Sequence, residues 1–257
     1  MTSAALEARM TWALMRRGLN ELARVPMAAV PGVLAPTIFM CGLAAVFGSL
    51  TLLPGFTTDK YLEFILPVGF LQGAGFTGAA TGVNLARDIE QGWFDRLLVS
   101  PTPRGVLLVG TVLSASLRVM LPITLLLVVG MSLGVEFPGL GGLLIAVLCA
   151  AIFAALAACY GVVLALKFRT QAAAPLMQAG VFMAVLFTTA YAPQELLTGW
   201  LEVVARLNPV TLLLETMRQG FVGGVTWADT WPGLVALAGI GLVVVTLAMR
   251  GLRRSGE

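Results

Sequence analysis

Long apolar runs alternate with short polar ones along the whole chain, and this alternation predicts helices that cross a membrane. Six runs come near the ~20 residues needed to span a hydrocarbon core. They lie at about 25–50, 61–83, 105–133, 143–166, 172–192 and 232–249. Lipid offers no partner for backbone N–H and C=O groups, so each run must be helical. The predicted class is an all-α integral membrane protein with a single transmembrane domain over residues 1–257. Pro26, Pro31 and Pro36 predict a bent or irregular entry to the first span, because proline cannot donate to the helix ladder. The second run holds two small-xxx-small pairs, Gly69/Gly73 and Gly78/Gly82. That spacing lets the backbone of a neighbouring helix come close. The third run is long and includes Arg118 and Pro122, and a tight polar turn at 167–171 separates the fourth from the fifth.

The polar stretches have patterns of their own. Residues 1–24 mix Leu6, Met10, Leu14, Leu19 and Leu22 with Arg9, Arg16, Arg17 and Arg24. This reads either as an amphipathic interfacial helix with Trp12 at headgroup level or as a frayed tail. Residues 193–231 are too many for a turn. They predict two short helices broken at Asn208-Pro209 and ended by Gly220, Gly223 and Gly224. These either re-enter the membrane from the outer face or lie along its surface. The most polar run between two long apolar ones is 84–104, NLARDIEQGWFDRLLVSPTPR. Asp88 is a candidate N-cap with Gln91 three residues on, and Gly92 is an alternative start. Ile89, Trp93 and Leu97 share a face, with Phe94 and Leu98 beside it and Asp95 and Arg96 opposite. Pro101 and Pro103 stop the helix. Amphipathicity alone fits an interfacial anchor and a surface pushed by a partner equally well.

Composition supports the membrane class. Of 257 residues, 58% are hydrophobic and 11% charged, against about 25% charged in soluble domains; mean hydropathy is +0.93. The net charge of +3 is spread over short loops, which argues against a nucleic-acid partner. With both termini inside, inner segments carry twelve Lys and Arg; outer segments carry three, Lys60, Arg206 and Arg218. This excess predicts cytoplasmic termini and a cytoplasmic 84–104. The chain has no His, which removes histidine-based nucleophile pairs. Cys41, Cys149 and Cys159 lie in apolar runs and read as small buried residues rather than disulfides or metal ligands. Neither Lys60 nor Lys167 follows a glycine, so a phosphate-cradling GxxxxGK loop is absent. The sequence therefore predicts no ATPase site, no metal and no cofactor bound by this chain. A gradient-driven carrier needs carboxylates near the midplane. The sequence offers only Glu63 and Arg118, read as an ion pair in the outer half. External power is favoured over a secondary carrier or a non-transporting scaffold.

ARDIEQGWFDRLLVSPTPRGVLLVG resembles the cytoplasmic segment of type-2 ABC transporter permeases, the class of daunorubicin-resistance permeases and polysaccharide exporters. Asp88, Glu90, Gly92, Trp93, Phe94, Arg96, Leu97, Ser100, Pro101 and Arg104 stand at the pattern's positions. RLNPVTLLLETMRQGFVGG is similar to the stretch before the family's last span, through Asn208, Pro209, Thr211, Glu215 and Arg218. The resemblance implies a six-span subunit of the bacterial inner membrane that pairs with a second permease, identical or not. It also implies a separate cytoplasmic ATPase that binds ATP and Mg, with 84–104 as the coupling helix seated on it. The cargo would be a hydrophobic drug, a lipid or a lipid-linked glycan. The pathway would lie at the dimer interface, with Gln72, Phe76, Thr77, Phe182, Phe187, Thr188 and Thr189 as its candidate lining. Each of these residues is equally readable as plain packing between helices.

Overall fold

A computed structural model describes residues 3–24, 30–56, 58–99 and 103–255. Among them there are helices and turns and no strand. The helices are α1 (Ser3–Arg24), α2 (Val30–Phe47), α3 (Tyr61–Glu90), α4 (Trp93–Val99), α5 (Arg104–Arg118) and α6 (Met120–Ser132). They are followed by α7 (Gly139–Phe168), α8 (Ala174–Leu186), α9 (Trp200–Leu207), α10 (Pro209–Val222) and α11 (Trp227–Arg254). Five segments among the described residues are long and apolar enough to cross a membrane: Gly32–Leu52, Tyr61–Glu90, Arg104–Ser132, Gly139–Phe168 and Trp227–Arg254.

α3 is the centre of the bundle. Residues 63–75 are buried without interruption, as in a helix enclosed on all sides. The glycine pairs explain how neighbours come so close. A Cβ on Gly78 would sit 2.4 Å from the Ala154 carbonyl oxygen, and one on Gly82 2.4 Å from the Gly161 Cα, so α7 packs backbone to backbone. On the other side, Gly69 and Gly73 receive Leu126 and Pro122 of α6. Pro36 has no N–H for the Gly32 carbonyl, and α3 approaches that carbonyl at Gly73, where a Cβ would lie 3.1 Å from it. α2 runs through Pro36 without interruption, while residues 25–29, with Pro26 at the entry expected to be bent or irregular, lie outside the described residues.

Several expected boundaries move. α3 continues two turns beyond the expected limit at 83. Its 30 residues give about 45 Å of helix, more than the ~30 Å of hydrocarbon. The third run is two helices meeting at Val119, because Pro122 leaves the Arg118 carbonyl without its helical donor. The fifth run is shorter than expected. α8 has 13 residues, about 20 Å, and 187–199 is irregular apart from a 3₁₀ turn at Gln194–Leu196. The two short helices before the last span are α9 and α10, and α11 starts at Trp227 rather than 232. Asn208 makes the α9–α10 break. Its Oδ1 accepts from the Val210 N–H at 3.0 Å, capping α10, with Pro209 at the first helical position. Cys41, Cys149 and Cys159 are free.

α1, the end of α3, α4, the start of α5, the end of α7 and the C-terminal turn of α11 gather at one end of the bundle, called here the basic end. At the opposite end Lys60 Nζ donates to Glu136 at 2.9 Å and to the Gly134 carbonyl at 3.1 Å. The Glu136 carboxylate holds the Lys60 pKa above its ordinary value.

Candidate functional site

The joint between α3 and α4 is built by one glycine. Gln91 and Gly92 close the last turn of α3 by donating to the Arg87 and Ile89 carbonyls, both at 3.0 Å. Gly92 then takes φ +68°, a left-handed conformation that glycine adopts without strain, and α4 leaves in a new direction. Asp88 is thus not a helix cap: it lies inside α3. Pro103 precedes α5, while Ser100 and Pro101 lie outside the described residues.

Two apolar residues of the joint face inward. Ile89 and Phe94 are buried in the main core, so the apolar face of Ile89, Trp93, Phe94 and Leu97 is not available as a set to lipid or a partner. Trp93 and Leu97 are half-buried. Glu90, Gln91, Asp95, Arg96 and Val99 are exposed. The outward face of the joint therefore combines the charged Glu90, Asp95 and Arg96 with Gln91 and the apolar Val99.

Two further elements hold the joint. From α1, one Nη of Arg17 donates to both Asp88 oxygens at 2.8 and 2.9 Å. The same guanidinium lies 3.6 Å from the Trp93 ring centre, a cation–π geometry. α1 is itself set close on α5, with Gly18 against Ser114 and Gly110 against Leu14. From the α7–α8 turn, the Glu90 carboxylate accepts from Thr170 Oγ1 at 2.7 Å, from the Gln171 N–H at 3.0 Å and from Gln171 Nε2 at 2.6 Å. Arg169 reaches Asp95 at 3.8 Å, with both side chains exposed. Behind the joint lies a cavity of about 80 Å³, lined by Arg17, Asp88, Trp93, Leu97, Ser114 and Arg118 among others.

Arg118 does not meet Glu63. It donates to Thr81 Oγ1 and to the Ser114 carbonyl, and Thr81 is 18 residues along α3 from Glu63, about 27 Å. Glu63 instead accepts from Thr58 Oγ1 at 2.7 Å and lies 3.7 Å from Lys60. The expected pair fails because the end of α5 lies level with Thr81 of α3, well beyond the reach of an arginine side chain from Glu63.

The other named residues fall into two groups. Gln72, Thr188 and Thr189 are buried within the bundle. Thr189 belongs to a network in which Arg218 Nη1 pairs with Glu215 at 2.7 Å, Nη2 donates to the Thr189 carbonyl at 2.9 Å and Nε donates to the Phe64 carbonyl at 3.1 Å. Phe76, Thr77, Phe182 and Phe187 are half-buried. Phe182 stacks on Phe76 with ring centres 6.0 Å apart and meets Phe39 of α2 edge-on at 6.1 Å; Phe187 meets Trp200 at 5.7 Å. Nothing in the local pattern pointed to Arg17, Thr170 or Gln171, because their partners stand 71 to 81 residues away.

This architecture defines a multi-pass helical membrane protein with a polar joint at one end. The model of the ABC-2 type transporter family matches residues 9–222, and the chain belongs to that family. It is 25% identical over 244 residues to the daunorubicin resistance ABC transporter permease protein DrrB1 of Streptomyces coeruleorubidus, covering 91% of this chain and 82% of that one. It is 27% identical over 245 residues to the probable doxorubicin resistance ABC transporter permease protein DrrC of Mycobacterium tuberculosis, covering 93% and 86%. A putative transport permease, ycf38, of Cyanophora paradoxa is 26% identical over 208 residues, covering 80% and 71%.

Proposed function

We propose that this chain is the membrane subunit of an ATP-binding-cassette exporter that moves a hydrophobic drug or lipid out of the cytoplasm, powered by a separate ATPase. The observation that carries the reading is the α3–α4 joint. It turns on Gly92 and presents Gln91, Asp95, Arg96 and Val99 outward, while Ile89 and Phe94 are tied into the bundle. A force applied to α4 therefore reaches the spanning helices. The family match and the names of the relatives support the same assignment. In this reading the basic end is cytoplasmic, in line with the excess of Lys and Arg there. α8 with the irregular segment after it makes a sixth, incomplete crossing, and α9–α10 re-enter from the outside. Two copies, or this chain and a second permease, flank the pathway along the face carrying Phe39, Phe76 and Phe182. The partner ATPase supplies the ATP and Mg chemistry.

The test uses inside-out membrane vesicles containing the chain and its co-expressed ATPase, with doxorubicin fluorescence as the probe. ATP is expected to drive uptake and the ATPase to co-purify with the chain. Gly92→Val forces a β-branched side chain into left-handed backbone, costing about 1–3 kcal/mol locally, and redirects α4. We expect it to cut both co-purification and ATP-driven uptake at least tenfold while the chain still accumulates in the membrane. Uptake driven by a proton gradient without ATP would make the chain a secondary carrier instead.

A further inference from the structure

Asp88 and Glu90 are two residues apart on the last turn of α3, so they point about 200° apart around the helix. Asp88 holds α1 through Arg17. Glu90 holds the α7–α8 turn, and that contact is the more extensive one: three donors converge on one carboxylate. Arg87 adds a fourth bond, from Nε to Gln171 Oε1 at 3.4 Å. The Thr170 hydroxyl that donates to Glu90 also accepts from the Ala172 N–H at 3.2 Å. It thereby caps the 3₁₀ turn Gln171–Ala173, which runs directly into α8 at Ala174. α7 ends on Arg169 at φ +55°, a left-handed residue without glycine's freedom. Glu90 makes the end of α3 and the start of α8 one unit.

The far end of α8 is gripped in the same manner. Asn208 Nδ2 donates to the Ala184 and Phe187 carbonyls at 2.7 and 2.8 Å, the last helical turn and the residue that ends it. The same side chain caps α10 through its Oδ1. α8 is therefore a short helix held by side-chain hydrogen bonds at both ends, and it carries Phe182 between Phe39 and Phe76.

We infer that α8 is the element driven during transport: the Glu90–Thr170–Gln171 clasp passes displacement of the α3–α4 joint to α8, and Asn208 passes it on to α9–α10. Glu90, Thr170, Gln171 and Asn208 are positioning residues in this scheme. The inference rests on the proposal that α4 receives force from an ATPase.

The experiment reports on the two ends of the clasp separately and needs no knowledge of the cargo. Single cysteines are introduced by Val99→Cys on α4 and Met183→Cys on α8, both exposed positions, in full-length chains with Cys41, Cys149 and Cys159 replaced by alanine. The complex with the ATPase is labelled with a maleimide in the absence of nucleotide and with ATP plus vanadate. Both positions are expected to change labelling rate several-fold with nucleotide. Thr170→Val with Gln171→Leu is expected to abolish the change at 183, keep the change at 99 and leave ATPase co-purification and the melting temperature in detergent unaltered. Thr170→Ser is expected to retain the change at 183. A nucleotide response at 183 that survives the double substitution overturns the clasp, as does a response at 99 with none at 183 in the intact chain. No response at 99 in the intact chain refutes the underlying reading of the joint, and the clasp with it.

Discussion

Gly78→Leu is expected to prevent the chain from accumulating in the membrane as a folded species. A Cβ at Gly78 would lie 2.4 Å from the Ala154 carbonyl oxygen, 2.5 Å from the Ala157 Cβ and 2.8 Å from the Ala158 nitrogen. All three belong to backbone or to a first side-chain carbon, so no rotamer change makes room. α3 and α7 would have to separate along the whole crossing, including the Gly82–Gly161 contact one turn on. Overpacking costs roughly 1–3 kcal/mol when neighbouring side chains can adjust; here the neighbour is a helix axis, and even Gly78→Ala should reach that range. Gly105→Ala is the matched control. A Cβ there meets nothing within 4 Å, and the exchange gains up to about 1 kcal/mol of helix propensity. Size-exclusion profiles and thermal unfolding in detergent should show aggregation for Gly78→Leu, a lowered midpoint for Gly78→Ala and no loss for Gly105→Ala. A normal profile for Gly78→Leu would mean that α3 and α7 do not cross at this point.

Arg218→Met is expected to carry the second largest cost, at the opposite end. The Arg218 side chain is 4% exposed, holds Glu215, the Thr189 and Phe64 carbonyls, and lies with its guanidinium carbon 3.6 Å from the Phe64 ring centre. It ties α10 to α3 and to the irregular segment after α8. Methionine keeps the stem but leaves the Thr189 carbonyl without this donor. Removing one partner of a buried pair costs about 3–5 kcal/mol. The Glu215 side chain is 47% exposed and can rehydrate, so we expect about 2–4 kcal/mol. The nearby Tyr61 hydroxyl, which donates to the Tyr191 carbonyl at 2.8 Å, should hold part of the segment in place. A lowered unfolding midpoint, with proteolytic cleavage appearing within 187–199, is the expected readout. An unchanged midpoint would exclude Arg218 as the tie.

The residues that made the architecture legible acted locally. Gly78 and Gly82 announced a close crossing and Asn208-Pro209 announced a helix break, but the third run reads as one span, and only the structure divides it at Val119 ahead of Pro122. Periodicity misjudged the joint because residues 84–90 are polar enough to read as loop, yet they continue a helix that had begun in apolar sequence. A helix does not stop where its surroundings change; it stops at Gly92, where φ turns positive. The amphipathic pattern also left Ile89 and Phe94 to be covered by lipid or by a partner, whereas the bundle uses both in its own core. An apolar face says that something covers it, and only the packing says what. The contacts that hold the joint, Arg17 with Asp88 and Glu90 with Thr170 and Gln171, join residues far apart in the chain. One-dimensional spacing carries no trace of them.

The aromatic triad of Phe39, Phe76 and Phe182 has a similar lesson. Sequence placed Phe76 and Phe182 beside a pathway because they are aromatic residues in apolar runs. The structure puts them together with Phe39 on the flank formed by α2 and α8, where Leu34, Ile38, Val46 and Met183 are exposed. Gln72, chosen as a polar residue in an apolar run, is enclosed, and its Nε2 has no hydrogen-bond partner among the described residues.

The central claim is that the α3–α4 joint meets a separate ATPase at the cytoplasmic surface. It is tested most directly by photocrosslinking from a cysteine-attached benzophenone on the exposed face of α4. The chain with Cys41, Cys149 and Cys159 replaced by alanine would carry Asp95→Cys, or Glu202→Cys on α9 at the opposite end as control, and be expressed with its ATPase in intact cells. The account predicts a permease–ATPase adduct from position 95 and none from 202, with 95 shielded from a membrane-impermeant thiol reagent added outside. An adduct from 202 alone, or labelling of 95 from outside the cell, would contradict it.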